Sequence, residues 1–197
     1  MHFMRVLGGI LLIAVCLQVQ AKEQGETAVA VFAGGCFWCM EKPFDVLDGV
    51  LSTTSGYIGG SPREANYKAV SSGRTGHVEA VEIEYNPTKV DFATLLEVFW
   101  KNVDPFDNRG QFCDKGSQYL SYIYYYGDEQ KTLAETSLAK IKAKFDKPIA
   151  TKVIEGSKFY PAETYHQDYY KKNPVRYKFY RTGCGRDRRL EQVWGAS

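Results

Sequence analysis

A short apolar run over residues 28–32 (Ala-Val-Ala-Val-Phe) ends in Ala33-Gly34-Gly35, and a helical pattern follows at once in Met40, Phe44 and Leu47. No other stretch constrains the fold as tightly. It requires a buried strand, a glycine turn with unusual backbone angles and a helix start within about a dozen residues. Cys36 stands at the handover. Unpaired N–H groups give a helix N-terminus partial positive charge, so a thiol placed there is expected to lose its proton more easily. The thiolate is the reactive form, and Cys36 therefore reads as a nucleophile. By spacing alone, Cys36-Phe37-Trp38-Cys39 stays open between a thioredoxin-like redox pair, half of a zinc site and two buried structural cysteines.

The 197 residues, 44% hydrophobic and 24% charged, suit one globular domain with a substantial core. A net charge of +2 gives no reason to expect nucleic acid as a partner, and Arg186, Arg188 and Arg189 read as a solvated basic tail. The first 21 residues stand apart. Arg5 precedes an apolar run over residues 6–17, and Val19-Gln20-Ala21 offers a small-residue cleavage site. At about 12 residues the run is short for a bilayer span. Residues 1–21 are thus expected to be a signal peptide cleaved after Ala21, leaving residues 22–197 as one mature domain, periplasmic or secreted, with no stable membrane association. The alternative is a lipid on Cys16, against which Val15 is a large residue to precede a lipidated cysteine. Cleavage leaves Cys36, Cys39, Cys113 and Cys184. Export makes two structural disulfides the plain reading, but a domain of this size does not need such staples.

Residues 52–60 read as a strand ending in Gly56-Tyr57-Ile58-Gly59-Gly60, and residues 61–76 as a long polar surface loop. In the strand over residues 77–85, His77, Glu79, Val81, Ile83 and Tyr85 share one face. Glu82 and Glu84 suit a solvated edge. Glu79 lies in line with apolar residues, where loss of water raises a carboxyl pKa and makes a general acid near neutral pH. The other reading is a carboxylate that reaches solvent at a strand end. Asp91 is placed to cap a helix carrying Leu95, Leu96, Phe99 and Trp100. A loop over residues 104–117 holds Asp107, Cys113 and Asp114 and leads into an aromatic strand at residues 121–126. Gly127-Asp128 opens a long scaffold helix, and residues 152–155 form a short strand. Glu163, His166 and Asp168 lie in an aromatic stretch without zinc-like spacing, so no metal is expected. Residues 173–197 show little periodicity, and Gly183-Cys184-Gly185 suggests a mobile thiol. Strands and helices alternating irregularly point to an α+β domain.

Five segments carry a resemblance to the type A peptide methionine sulfoxide reductases. They are Gly34-Gly35-Cys36-Phe37-Trp38-Cys39-Met40-Glu41, Gly56-Tyr57-Ile58-Gly59-Gly60, Thr75-Gly76-His77-Val78-Glu79, Asp114-Lys115-Gly116-Ser117-Gln118-Tyr119 and Tyr165-His166-Gln167. The resemblance implies reduction of the S epimer of methionine sulfoxide, free or in oxidised proteins. It assigns Cys36 as the nucleophile and Glu79 as the acid that protonates the sulfoxide oxygen. Tyr57, Tyr119 and Asp114 would orient that oxygen, with Phe37 and Trp38 as the apolar wall for the S-methyl group. It implies a sulfenic acid on Cys36 that condenses with a resolving thiol to a disulfide. Cys184 in the glycine-containing tail fits that role, with Cys113 and Cys39 as alternatives. A thioredoxin-like reductant is the implied co-substrate, with no bound cofactor and no metal, in a monomer. The implied fold is a two-layer α+β sandwich with a mixed, antiparallel-rich sheet, a ferredoxin-like core, long loops and an irregular C-terminal tail. Two rivals remain, an exported CxxC thiol–disulfide oxidoreductase and a non-catalytic module that binds oxidised proteins.

Overall fold

The computed structural model describes residues 27–195, so the expected signal peptide, its expected cleavage site after Ala21 and Cys16 lie outside the described residues. The elements in chain order are β1 (Ala28–Gly34), α1 (Phe37–Asp45), β2 (Val50–Ile58), α2 (Tyr67–Val70), β3 (Val78–Tyr85) and α3 (Phe92–Lys101). A small hairpin of β4 (Gly110–Gln111) and β5 (Asp114–Lys115) precedes β6 (Ser121–Tyr125), α4 (Gly127–Lys144), β7 (Lys152–Glu155) and β8 (Phe159–Pro161). Three helices close the chain: α5 (Tyr169–Lys172), α6 (Pro174–Gly183) and α7 (Arg186–Trp194). No helix among the described residues is long and apolar enough to cross a membrane.

The main sheet runs β7-β6-β1-β3-β2-β8. Its centre, β6-β1-β3-β2, is antiparallel throughout and has the order expected of a ferredoxin-like βαββαβ core, with α1 and α3 as the two crossovers. Only the β6–β7 pair is parallel, which makes the sheet mixed. Alternation along β1 divides its side chains between the two faces. Ala30 and Phe32 join the main core with Phe44, Leu95, Phe99 and Ile123, whereas Val31 and Ala33 join a second cluster with Ile58, Val78 and Tyr124. Phe32 is the hub of the main core, stacked on Phe99, Phe44 and Phe92 at centroid distances of 5.1, 5.5 and 5.9 Å.

Asp91 caps α3 as its position predicts, accepting the Thr94 N–H at 2.7 Å. Four local expectations need correction. Residues 61–76 are not a plain loop, because Asn66 accepts the Ala69 N–H and starts the short helix α2. The strand bearing Glu82 and Glu84 lies in the sheet interior, so Glu82 is half-buried. Residues 104–117 contain the β4–β5 hairpin, with Gln111 clasping both the N–H and the carbonyl of Asp104 at 2.8 Å. The C-terminal tail is not irregular. Residues 174–194 form two helices that turn at Gly185, whose φ of +68° suits a residue without Cβ. The tail is anchored by Arg189 on Asp104 (2.6 Å), by the Trp194 indole on the Val103 carbonyl (2.9 Å) and by a Cys113–Cys184 disulfide.

Candidate active site at the end of the first strand

Gly35 has φ +82° and turns the chain sharply out of β1 into α1, so Cys36 becomes the N-cap of the helix and Cys39 lies in its first turn. Extending the Phe32–Val81 pairing of β1 and β3 by two residues brings Glu79 level with Gly34. Glu79 Oε2 accepts the Phe37 N–H at 3.1 Å, one of the unpaired amides of the helix start. The positive end of α1 therefore serves Glu79, not Cys36. Beside these groups lies a cavity of ≈ 90 Å³ lined by Cys36, Phe37, Trp38, Tyr67, Glu79, Asp114, Tyr119 and Tyr180. Larger clefts of ≈ 370 and ≈ 740 Å³ lie along α6 and α7 and hold no cysteine.

Glu79 is 2% exposed, and burial raises its pKa to about 8; the Phe37 N–H opposes that shift, while Asp114 and Cys39 add to it. The carboxyl thus holds its proton at neutral pH, as the strand alternation predicts. Cys36 goes the other way from expectation. Its pKa is raised well above the ordinary thiol value by burial, by its hydrogen bond with the Cys39 thiol and by the negative charges of Glu79, Cys39 and Asp114. Cys39 is lowered to about 7, first by the hydrogen bond with Cys36, against burial and with help from Arg186 and Arg181. The pair therefore gives up its first proton at Cys39. Both thiols are free and buried.

Phe37, Trp38, Asp114 and Tyr119 line the cavity as expected, but Tyr57 does not. Tyr57 is fully buried one layer behind, paired with Glu79 across β2 and β3, and its hydroxyl donates to Glu163 Oε2 at 2.8 Å. The second tyrosine in the cavity is Tyr67, which sequence reasoning missed; its only local signal is Asn66, the N-cap of a four-residue helix. Tyr180 was missed too. It enters from α6 and donates to Asp114 Oδ2 at 2.5 Å. Asp114 is raised by burial, against the Tyr180 hydrogen bond and the Arg186 charge. Tyr119 is raised by burial and then by Glu79, so its hydroxyl stays a donor.

Cys184 is not a free mobile thiol, because it is bonded to Cys113. Those two sulfurs stand near Asp114, but as a disulfide they are not thiolate ligands for a metal. Glu163, His166 and Asp168 serve as supports. Glu163 accepts from the Tyr57 hydroxyl and from the Tyr67 N–H (2.9 Å), and His166 Nδ1 accepts the Trp38 indole N–H at 3.0 Å. Trp38 is also stacked on Tyr169 at 3.7 Å with 6° between planes. One wall of the cavity is therefore a rigid apolar plate, sharing the cavity with two carboxyl groups, Glu79 and Asp114, and three tyrosines, Tyr67, Tyr119 and Tyr180. Such a site can hold a small apolar group on one side and protonate an oxygen on the other, beside the Cys36 thiol.

The family model described as peptide methionine sulfoxide reductase matches residues 28–197. A relative named peptide methionine sulfoxide reductase MsrA, from Bacillus licheniformis, is 50% identical over 169 residues, 85% of this chain and 93% of its own. Among solved structures, reduced Mxr1 from Saccharomyces cerevisiae is 30% identical with a TM-score of 0.72, over 76% of this chain and 87% of that one. Mxr1 in complex with Trx2 superposes at TM-score 0.51 and 18% identity, over 76% and 91%.

Proposed function

The chain belongs to the peptide methionine sulfoxide reductase family, and we infer from the site at the end of β1 how its own residues carry the reaction. The enzyme reduces the S epimer of methionine sulfoxide, free or in oxidised proteins, to methionine. It works through a cysteine sulfenic acid and an intramolecular disulfide, with a thioredoxin-like dithiol as co-substrate.

The Phe37 and Trp38 wall takes the S-methyl group, and Glu79, Tyr67 and Tyr119 face the sulfoxide oxygen. Cys36 sulfur attacks the substrate sulfur while its proton passes to the Cys39 thiolate in the same first turn of α1. Glu79 gives its proton to the oxygen, which spares the dry cavity a full negative charge. Oxygen leaves the substrate and ends on Cys36, so Cys–SH and sulfoxide become Cys–SOH and thioether. The Cys39 thiol then displaces water from the sulfenic acid, forming the S–S bond as the S–O bond breaks. An external dithiol returns both cysteines to thiols.

Cys39 is the resolving thiol in this scheme, in place of Cys184 or Cys113. The observation that carries it is that Cys36 and Cys39 are the free, buried thiols at the start of α1, with Cys36 lining the cavity that holds Glu79, while Cys113 and Cys184 are already bonded to each other. Cys36 lies outside the helix proper as its N-cap, so closing the pair does not bend a helix interior, and CxxC pairs at helix starts suit redox cycling. Turnover on separated S and R epimers with dithiothreitol tests the activity, with reduction of S alone expected. Insulin reduction without sulfoxide turnover would instead identify a general thiol–disulfide oxidoreductase.

Residues 1–21 are proposed to be removed on export, and the mature enzyme to work outside the cytoplasm with a thioredoxin-like donor there. The short apolar run behind Arg5 supports this, as does the Cys113–Cys184 disulfide, of the kind that persists in oxidising compartments. N-terminal sequencing of the extracytoplasmic protein should begin at Lys22; an uncleaved cytoplasmic chain would refute it.

A further inference from the structure

Arg186 is 1% exposed, although its side chain carries a permanent charge. No carboxylate lies within ion-pair distance of it among the described residues. Its Nη2 donates to the Asn102 carbonyl at 2.7 Å, to the Gly34 carbonyl at 3.2 Å and to Met40 Sδ at 2.9 Å. The guanidinium lies 4.3 Å from the centre of the Phe112 ring, and its buried Nε has no partner. Two carbonyls, a thioether and a ring are weak compensation for a desolvated cation. The contacts nonetheless place it closely. Gly34 stands two residues before Cys36, Met40 directly follows Cys39, and Nη1 would lie 3.8 Å from a Cβ at Gly35.

We propose that Arg186 is a positioning residue of the redox centre, the buried counter-charge of the thiolate that Cys39 carries between turnovers. This rests on the assignment of Cys36 and Cys39 as the working pair. Among the described residues, the groups whose charge acts on Cys39 or feels it are Cys36 beside it, Glu79 from β3, Asp114 from β5, Tyr177 and Arg181 from α6 and Arg186 from α7, the last packed on the Gly34 carbonyl and Met40 Sδ on either side of the cysteine pair. Only two of these are cations. Arg181 is tied to the Asp187 carboxylate by Nε at 2.8 Å and Nη2 at 2.5 Å, which cancels much of its field. Arg186 has no such partner, and buried charge is poorly screened by salt. Of the cations around Cys39, Arg186 contributes more than Arg181 to the lowering of its pKa. The cation comes from the far end of the chain, and Gly185, the disulfide at Cys184 and Arg189 on Asp104 fix where it enters.

The test isolates Cys39 by difference: thiolate absorbance near 240 nm against pH in Cys36→Ser minus Cys36→Ser/Cys39→Ser, which removes other thiols and the tyrosines. Cys36→Ser removes the thiol that contributes most to lowering Cys39, so the midpoint of Cys36→Ser with Arg186 present is the reference from which the Arg186 variants are read. Arg186→Met should move it up by about one pH unit, a tenfold loss of thiolate at fixed acid pH, whereas Arg186→Lys should restore most of it. Arg181→Met, whose charge is already paired, should move it less. Arg186→Gln keeps a donor for the Gly34 carbonyl and serves if the methionine variant does not fold. A midpoint unmoved in a folded Arg186→Met or Arg186→Gln protein overturns the proposal. Failure of Cys39 to resolve the sulfenic acid would show separately, as normal cycling of Cys39→Ser, and leaves the titration readable.

Discussion

Two side chains set the pH response. Cys39 must be a thiolate to take the Cys36 proton, and Glu79 must be protonated to give one. With pKa values of about 7 and about 8, kcat/KM should rise as pH increases through 7 and fall through 8, a narrow bell. Glu79→Gln should remove the alkaline limb and lower kcat by about 10²- to 10⁴-fold. It should also stabilise the fold. The folded state holds the Glu79 proton up to about pH 8, while the unfolded chain releases it near 4.5. The native state therefore loses relative stability as pH climbs between those values. The glutamine variant should melt higher than wild type at pH 8 and equally at pH 4, checked by calorimetry. Tyr67→Phe should cut kcat/KM about tenfold, whereas Tyr57→Phe should lower Tm and leave kcat nearly unchanged. The reverse order would restore Tyr57 to the substrate oxygen. Glu79 was legible because period-two alternation put it among Val81 and Ile83. Tyr67 was not, because a four-residue helix held by one asparagine leaves no periodic trace.

At the scale of elements, the strand–glycine–helix junction was fully legible, since apolar run, glycines and helical spacing follow one another without interruption. The C-terminal helices were not. Among buried residues α6 contributes only Tyr177 and α7 only Arg186, so neither shows an apolar stripe. A buried cation, an ion pair and a disulfide hold them instead, and Gly183-Cys184-Gly185 looks mobile until its partner Cys113 is seen. The disulfide closes a separation of 71 residues, for which chain entropy gives about 4 kcal/mol. Cys184→Ser should therefore lower Tm clearly yet still cycle through many turnovers with a thioredoxin-like donor. A stall after one turnover would make Cys184 the resolving thiol after all.

For the molecule as a whole, the sheet order puts everything catalytic on the helix-bearing side of β1 and β3. Phe32 fixes where that side packs, and Phe32→Ala should cost about 3–5 kcal/mol in denaturant unfolding. The antiparallel-rich α+β class followed from the alternation of elements. The disulfide pattern did not, because four cysteines permit three pairings and no spacing chooses among them. The structure pairs Cys113 with Cys184 and leaves Cys36 and Cys39 free at the start of α1, with Cys36 lining the cavity. The most direct test is disulfide mapping by peptide mass spectrometry after one equivalent of the S-epimer sulfoxide, without reductant. A new Cys36–Cys39 bond beside an unchanged Cys113–Cys184 bond is the expected result, with no change on adding the R epimer. A Cys36–Cys184 or Cys36–Cys113 bond as the first product would contradict it.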